Sequence, residues 1–386
     1  MRIALLSWET AHSISIGGVA VHATELACAL ERKGHEVHVF TRMGRENHSA
    51  YERIYGVHYH RCPFGTNPDF VEEMNNMCRS FVNAVFATED YIGPFDVIHA
   101  HDWLTANALI WIKEGRGRKA VFTMHSTEYG RCGNNFFGGN SEAIRHLEWL
   151  GTYRADHVIA VSKSLKNELM WNYSLPDWKI DTVYNGIDCR GFDGWIEPAA
   201  IRKMYDIGPM DPMVLFAGRM VYQKGPDILL EAIPNVLNFY NNAKFVFVGD
   251  GDMRRGLEER AHQMGISHAT RFLGYQNGWK LVDLFKATDC VCVPSRNEPF
   301  GIVILEAWSA GKPVIASSNG GPSEIVWHDV NGYKVYDNAE SVSWGIGTLF
   351  SDFDYARWMG QNGRVAVESV FSWDIIADEV LAVYAN

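Results

Sequence analysis

"RIALLSWETAHSISIGGVAVHATELACALERKGHEVHVFT", residues 2–41, contains the pattern that decides the fold class. An apolar strand, RIALLSW, is followed by the glycine loop ISIGGVAVH and by a segment in which Leu26, Ala29 and Leu30 recur at helical spacing. Gly34 stands where a helix commonly ends, and HEVHVFT has the composition of a second strand. A strand, a glycine loop, a helix and a strand in this order predict a βαβ unit.

The alternation of strands and helices continues along the chain and then begins again. Further strand-like runs of the first half lie at 95–101, 119–125 and 155–162. After a turn-rich stretch, the second half has strand-like runs at 212–219, 243–251, 269–275, 289–295 and 312–318. Because such alternation is typical of parallel doubly wound sheets, we predict an α/β protein of two Rossmann-like domains. Their expected ranges are 1–190 and 191–370, with a tail helix at about 371–386.

The composition and the charge exclude several functional classes. The 386 residues are 47% hydrophobic, which is typical of a globular chain, and the net charge of −11 argues against a nucleic-acid partner. Seven cysteines, an odd number in a long chain, argue against a disulfide framework. We find neither a signal-peptide pattern nor a run of about 18 apolar residues. We therefore expect a cytoplasmic protein without a transmembrane segment.

Ligand-binding residues are expected in the loops after the strands, because open α/β sheets bind ligands at the carboxyl ends of their strands. If the two predicted sheets face each other, the site is the cleft between the domains. Gly17 and Gly18 form the first such loop. Glycine lets backbone N–H groups approach a phosphate at the start of a helix. An ordinary tight turn would contain the same residues, so both interpretations stay open.

A pair of cations follows the first strand of the second half, in FAGRMVYQKG at residues 216–225. Arg219 and Lys224 lie on this loop beside two glycines. Two cations at the carboxyl end of a strand suit a diphosphate. The alternative is a solvated basic loop.

Polar side chains also end the strand in VIHAHDW. Asp102 can bind sugar hydroxyls while Trp103 stacks on a pyranose face, or Asp102 can cap the following helix. His99 and His101 share one face of the strand, but the sequence shows no third ligand, so we expect no metal. His125 ends the strand KAVFTMH in the same manner.

A loop leads into an apolar helix in RNEPFGIVILE, residues 296–306. The first turn of this helix leaves N–H groups without intrahelical partners, and such groups favour an anion. The donors in question belong to Phe300, Gly301, Ile302 and Val303. A buried Glu306 without a partner would be costly, and a ribose diol would supply two donors to it. Glu298 would then lie beyond the phosphates, toward a transferred sugar. A structural ion pair or an exposed Glu306 is the alternative.

These stretches together resemble a known family. PSRNEPFGIVILEA is similar to the E-x7-E signature of retaining family 4 glycosyltransferases of GT-B fold, and HAHDW is similar to their glycogen and starch synthase branch. Other similar segments are GG at 17–18, VYNGID at 183–188, GR…KG at 218–225, FVGDG at 247–251 and GGPSEIV at 320–326. Ser15 and Phe300 stand where that branch has the lysine of K-x-G-G and usually a cysteine after E-P. The donor sugar and its base therefore stay open.

The resemblance implies that the C-terminal domain binds a nucleotide-activated sugar and that the N-terminal domain binds the acceptor. It assigns the diphosphate to Arg219 and Lys224, the ribose to Glu306 and the hydroxyls of the donor sugar to Glu298. It also implies that the tail helix crosses back to the first domain.

The resemblance further implies that the loop of Gly17 and Gly18 approaches the phosphates and that His125 approaches the reacting carbon. Neither a metal nor a protein nucleophile is implied. We predict transfer of a hexose, with glucose as the first candidate, from a UDP- or ADP-sugar to a carbohydrate or another hydroxyl acceptor. The alternatives are a sugar-nucleotide epimerase of the same fold and a non-catalytic nucleotide-sugar-binding protein. No cofactor is expected, and the oligomeric state is not indicated.

Overall fold

A computed structural model describes residues 1–44 and 48–386, and the chain divides into two compact units. Unit 1 comprises Met1–Gly186 and Trp373–Asn386, and unit 2 comprises Ile187–Ser372. The sequence placed the boundary near residue 190 and the tail helix at about 371. The chain therefore leaves unit 1 once and returns to it for its last helix.

Unit 1 is built around a sheet of eight strands within the described residues. Its strands are β1 (Arg2–Leu6), β2 (Glu36–Arg42), β3 (Tyr51–Ile54), β4 (Val57–Cys62), β5 (Val97–His101), β6 (Lys119–Met124), β7 (His157–Ala160) and β8 (Ile180–Thr182). Its helices before the division are α1 (Gly18–Arg32), α2 (Phe70–Ile92), α3 (Ala106–Arg116), α4 (Glu128–Arg131), α5 (Asn140–Arg154) and α6 (Lys163–Tyr173). The strand order is β3-β4-β2-β1-β5-β6-β7-β8, and every neighbouring pair is parallel except β3 with β4.

Unit 2 contains a smaller sheet that is parallel throughout. Its strands are β9 (Met213–Ala217), β10 (Lys244–Val248), β11 (Thr270–Gly274), β12 (Cys290–Val293), β13 (Val314–Ser317) and β14 (Gly332–Val335), in the order β11-β10-β9-β12-β13-β14. Its helices are α7 (Pro198–Lys203), α8 (Pro226–Leu237), α9 (Arg254–Gln263), α10 (Gly278–Ala287), α11 (Ile302–Ser309), α12 (Pro322–Ile325), α13 (Ala339–Ser351) and α14 (Phe353–Val370). The predicted α/β class with two parallel-sheet domains is confirmed.

The last helix, α15 (Trp373–Ala385), completes the core of unit 1. Trp373, Ile376 and Val380 are buried in the same apolar cluster as Leu26 of α1. The sequence pattern explains this position, because these side chains recur at helical spacing on one face. Burying each large apolar side chain stabilises the fold by about 1.5–3 kcal/mol.

Each sheet has a topological switch point beside its first strand. In unit 1 the chain runs outward from β1 through β2 and then continues on the other side with β5. In unit 2 it runs from β9 through β10 and then continues with β12. Ligands of open α/β sheets bind at such points, in the loops after the strands. Among the described residues, no helix is both long and apolar enough to cross a bilayer.

Candidate active site

Lys224 and Glu298 form the polar centre of the switch point in unit 2. The Lys224 ammonium lies 2.9 and 2.7 Å from the two carboxylate oxygens of Glu298. The Ser295 hydroxyl donates a third hydrogen bond to the same carboxylate at 3.0 Å. Glu298 is only 5% exposed, so these donors compensate a buried charge that would otherwise be costly. Lys224, which is predicted to hold the diphosphate, and Glu298, which is predicted to hold the donor sugar, are therefore direct partners.

The two loops that carry this pair are fixed to each other by Arg296. Its guanidinium donates to both carboxylate oxygens of Asp227, at 2.9 and 2.6 Å, and lies over the Tyr222 ring at 4.0 Å from the ring centre. Its backbone N–H donates to the Gln223 carbonyl at 2.9 Å. A bidentate pair of this kind defines orientation as well as energy. Arg296 thus holds the loop after β9 and the loop after β12 in a fixed position relative to each other.

Glycines bring a third loop against Glu298. A Cβ atom at Gly320 would lie 2.1 Å from the Glu298 carbonyl oxygen, and one at Gly321 would lie 2.4 Å from the Cα of Phe300. The Gly321 N–H donates to the Glu298 carbonyl at 2.8 Å. Only glycine permits this approach of backbone to backbone. The segment GGPSEIV therefore supports the position of Glu298.

Arg219 stands apart from this network. Its side chain is exposed, and within the described residues it has no hydrogen-bond or ion-pair partner. Its loop is held by glycines, since a Cβ atom at Gly249 would lie 1.9 Å from the Gly218 carbonyl oxygen and one at Gly251 would lie 2.4 Å from the Met220 oxygen. In the described part of the chain, the Arg219 guanidinium is thus an unpaired cation on a loop held by glycines.

Helix α11 begins at Ile302 as an apolar helix whose first turn has no side-chain cap. Gly301 precedes it with φ 101°, a left-handed conformation that favours glycine. Glu306 lies on this helix, partly exposed, and no hydrogen bond to its carboxylate is found among the described residues. Burial raises the pKa of Glu306 to about 7. A structural ion pair, the alternative considered from the sequence, is not present in this described part of the chain.

The Gly17–Gly18 loop in unit 1 is held by a carboxylate that the sequence analysis missed. Glu9 Oε2 accepts the backbone N–H groups of Ile16 at 2.6 Å and Gly17 at 3.0 Å. Burial raises the pKa of Glu9. The Gly17 N–H is therefore already bonded, and Gly18 begins α1 without a side-chain cap. A glutamate eight residues before the first glycine of the pair, just after the same strand, was the available signal.

Asp102 supports His125 and Trp103 is buried. The Asp102 carboxylate accepts the His125 backbone N–H at 2.8 Å, and Asp102 has φ 58°, which is strained for a residue with a side chain. Burial raises the pKa of Asp102 to about 6. Trp103 is 6% exposed and meets Phe70 edge to face at 5.7 Å. The ring thus packs in the core of unit 1, and the stacking of Trp103 on an acceptor sugar stays a prediction.

His125 lies in a cluster with His22 and His101. One ring nitrogen from each lies within 4.8 Å of the other two. His99 is not part of the cluster, because its two nitrogens bond to Tyr384 at 2.6 Å and to Thr123 at 2.6 Å. The sequence identified His101 at the end of β5 and His125 after β6 but missed His22. Its place in the first turns of α1, after the neighbouring strand β1, was the available signal.

The fold and these strand-end residues define a GT-B glycosyltransferase. The C-terminal half, residues 199–366, matches the family "Glycosyl transferases group 1", and residues 16–190 match "Glycosyltransferase Family 4". An uncharacterized glycosyltransferase of Methanocaldococcus jannaschii is 40% identical over 388 residues, covering 100% of this chain and 98% of the relative. The chain belongs to the family 4 glycosyltransferases, near their glycogen and starch synthase branch.

Other similar proteins have known names or structures. A glycogen synthase of Mycobacterium tuberculosis is 29% identical and covers 100% of this chain and 94% of the relative. Sucrose-phosphate synthase of Thermosynechococcus elongatus has the same fold, with a TM-score of 0.84, 24% identity and coverage of 100% and 98%. HepE of Anabaena, solved with UDP and glucose, has a TM-score of 0.81, 20% identity and full coverage of both chains.

Proposed function

We propose that this glycosyltransferase moves a hexose, with glucose as the first candidate, from a UDP- or ADP-sugar to a carbohydrate or another hydroxyl acceptor. Support for glucose comes from HepE, solved with UDP-glucose, and for ADP from a starch synthase of Arabidopsis thaliana solved with ADP and acarbose. The proposed stereochemical course is retention, as in the family that the E-x7-E signature resembles.

The observation that carries the donor site is the arrangement around α11. The helix begins without a side-chain cap, the Lys224–Glu298 pair lies on the adjoining loops, and Glu306 has a carboxylate without a hydrogen bond in the described structure. An uncapped helix start attracts an anion such as a diphosphate. A carboxylate with free acceptor capacity suits the two hydroxyls of a ribose.

In this proposal the diphosphate is held by Arg219, Lys224 and the N–H groups of the Phe300–Val303 turn. Glu306 accepts the ribose hydroxyls, and Glu298 accepts hydroxyls of the transferred sugar. Lys224 then shares its three N–H donors between the Glu298 carboxylate and the phosphate. A buried carboxylate thereby keeps its cation when the donor is bound.

Unit 1 contributes the acceptor side and His125. The Asp102 carboxylate fixes the backbone of His125, so we assign Asp102 as a positioning residue and not as an acceptor ligand. His125 is assigned to the donor sugar near its reacting carbon, and the N terminus of α1 at Gly18 to the phosphates. Burial lowers the pKa of His125 to about 3, which keeps the ring neutral at pH 7. A neutral ring can donate one hydrogen bond to a sugar hydroxyl.

The proposed reaction needs no protein nucleophile and no metal. The bond between the sugar C1 and the phosphate oxygen breaks, and a bond between C1 and the acceptor oxygen forms on the same face. The acceptor proton passes to the departing diphosphate. The cations and the helix start stabilise the charge that develops on this leaving group.

A donor and acceptor screen tests the proposal. The purified protein is incubated with UDP-, ADP- and GDP-glucose and with a panel of mono- and oligosaccharides, and products are detected by mass spectrometry. We expect an acceptor that gains one hexose unit, with NMR showing the anomeric configuration of the donor. Recovery of the donor as its epimer would indicate the epimerase alternative. Tight binding of donors without turnover on any acceptor would indicate the binding-protein alternative.

A further inference from the structure

The cluster of His22, His101 and His125 has a feature that glycosyl transfer does not use. His22 is 4% exposed and His101 is 1% exposed, and the buried Nε2 atoms of both have no hydrogen-bond partner among the described residues. A buried polar atom without a partner destabilises the fold, because it has lost its hydrogen bonds to water. The unpaired Nε2 atom of His22, in a ring cluster with His101 and His125, indicates a site for a ligand that accepts lone pairs.

The neighbour of His22 determines which of its nitrogens is free. The Nδ1 atom lies 2.8 Å from the side-chain oxygen of Asn185, and this oxygen can only accept, so Nδ1 carries the hydrogen. A neutral imidazole carries one hydrogen, so a hydrogen on Nδ1 leaves Nε2 without one. Its Nε2 atom therefore presents a lone pair. In metal sites, a hydrogen bond of this kind from the second nitrogen orients a histidine ligand.

The facing nitrogens of the other two rings share a hydrogen bond, at a spacing that two ligands of one cation would also have. His101 Nδ1 lies 3.2 Å from His125 Nε2. Two ligands on a tetrahedral Zn²⁺ with Zn–N bonds of 2.0–2.1 Å are about 3.3 Å apart. One nitrogen of each ring in the cluster is within 4.8 Å of the others, so His22 needs a small movement to complete the set. His125 is partly exposed and leaves a path for entry.

We propose that His22, His101 and His125 bind one divalent transition-metal ion of the Zn²⁺ class, and that the bound ion inhibits glycosyl transfer by occupying His125. Three imidazoles favour Zn²⁺, Co²⁺, Ni²⁺ or Cu²⁺ over Mg²⁺, which prefers oxygen ligands. The fourth position is filled by water. The inhibitory part rests on the proposed function of His125, whereas the binding part does not.

Binding is tested first on the wild-type protein without an activity assay. The protein is treated with a chelator, dialysed and titrated with Co²⁺, and we expect the visible absorption bands of a tetrahedral site at one equivalent. Zn²⁺ should displace Co²⁺, and X-ray absorption at the zinc edge should show three imidazole nitrogens at about 2.0–2.1 Å. Absence of the tetrahedral bands, or a zinc shell made mainly of oxygen, would overturn the proposal.

Variants then locate the site. His22→Gln should weaken Co²⁺ binding at least 100-fold, and Asn185→Ala should weaken it about 10–100-fold because the ring orientation is lost. The matched control is His60→Gln, since His60 Nε2 forms another ring pair with His38 Nδ1 at 2.9 Å. Loss of Co²⁺ binding in the control but not in His22→Gln would place the ion elsewhere. Circular dichroism verifies the fold of each variant.

The inhibitory part is tested by adding Zn²⁺ to the transfer assay. Wild type and His60→Gln should lose activity in parallel with Zn²⁺ occupancy and recover it with a chelator. Full activity at saturating Zn²⁺ would overturn this part and leave the binding site standing. If no donor and acceptor pair reacts at all, the proposed function fails, and the Co²⁺ spectrum still decides the metal site.

Discussion

Lys224 and Glu298, which are 74 positions apart in sequence, share two hydrogen bonds of 2.9 and 2.7 Å within unit 2. Neither residue can be changed without altering the charge balance around the other. Truncating one member of a buried, hydrogen-bonded charge pair costs about 2–5 kcal/mol. The pair is therefore a single unit in any mutational study of the donor site.

Lys224→Ala and Arg219→Ala should both lower kcat/KM. At ~1.4 kcal/mol per factor of ten, the loss for Lys224→Ala should be tens- to thousands-fold, because Glu298 also loses its cation. Arg219 has no protein partner in the described structure, so Arg219→Ala should remove only a contact to the phosphate. The decrease in kcat/KM should therefore be smaller for Arg219→Ala than for Lys224→Ala. Steady-state kinetics with varied donor provide the measurement. Arg255→Ala is the control, because the Arg255 side chain on α9 is 92% exposed. Wild-type kcat/KM in both site variants would discard the phosphate assignment.

Glu306→Gln and Glu298→Gln should separate binding of the nucleotide from binding of the sugar. Glu306→Gln loses a charge-assisted hydrogen bond to the ribose and should weaken free NDP by about 1.5–3 kcal/mol. Glu298→Gln should leave NDP affinity almost unchanged while kcat falls, since NDP lacks the transferred sugar. Calorimetry with NDP on both variants gives the answer. Equal weakening by the two substitutions would contradict this division of roles.

Glu306 should make the stability of the protein depend on pH. Its pKa is raised from 4.5 to about 7 by burial, so the folded state disfavours the ionised form. The stability linked to this carboxyl group is fully present below pH 4.5 and is lost as the pH rises through 7. Glu306→Gln should therefore be about 1–3 kcal/mol more stable than wild type at pH 8 and similar to it at pH 4.5. Thermal unfolding at both pH values tests this, with the exposed Glu340→Gln as the control. A stability difference that does not change with pH would argue against a buried carboxyl group.

Asp102 should act through the backbone of His125. Asp102→Asn keeps a side-chain oxygen and tolerates positive φ, so it should retain most of the activity. Asp102→Ala loses the hydrogen bond to the His125 N–H and places a residue that tolerates positive φ poorly at this position. Its kcat should fall by at least ten-fold, with little change in NDP affinity. Kinetics and NDP calorimetry on the two variants measure this split. Equal losses in Asn and Ala variants would indicate that the carboxylate charge, and not the hydrogen bond, is required.

Removal of metal should leave turnover intact. The proposed leaving-group charge is balanced by Arg219, Lys224 and the start of α11, so EDTA should not lower activity. If Zn²⁺ occupies the histidine cluster during purification, EDTA should raise activity. Complete loss with EDTA that Mg²⁺ or Mn²⁺ restores would count against the proposed mechanism.

Much of the fold could be predicted from the sequence, because buried parallel strands form continuous apolar runs. Predicted strands such as those at 95–101 and 289–295 overlap β5 and β12. The β3–β4 hairpin was not predicted, since YERIYGVHYHRC is rich in polar residues and adds an antiparallel strand at the sheet edge.

The site was less predictable where long-range contacts decide it. Motif spacing located Lys224 and Glu298 separately, but their hydrogen bonds depend on how two loops meet. Likewise, Asn185 and His22 are 163 positions apart and neither belongs to the signature that drew attention to α11. Trp103 was assigned to a ligand because an aromatic residue at a strand end suits a sugar. Its burial against Phe70 depends on α2, whose packing no local pattern reveals.

The return of the chain to unit 1 makes unit 2 a continuous insertion within the sequence of unit 1. A Cβ atom at Gly186 would lie 2.6 Å from the Trp373 ring within unit 1, and the Ile187 N–H donates to the Phe371 carbonyl at 2.9 Å within unit 2. Both crossing points are therefore adjacent, and a short linker from Gly186 to Trp373 would close unit 1 without stretching it. Because unit 2 is joined to unit 1 at two places, replacing it by another unit takes two crossovers and leaves the sequence of unit 1, including its last helix, unchanged.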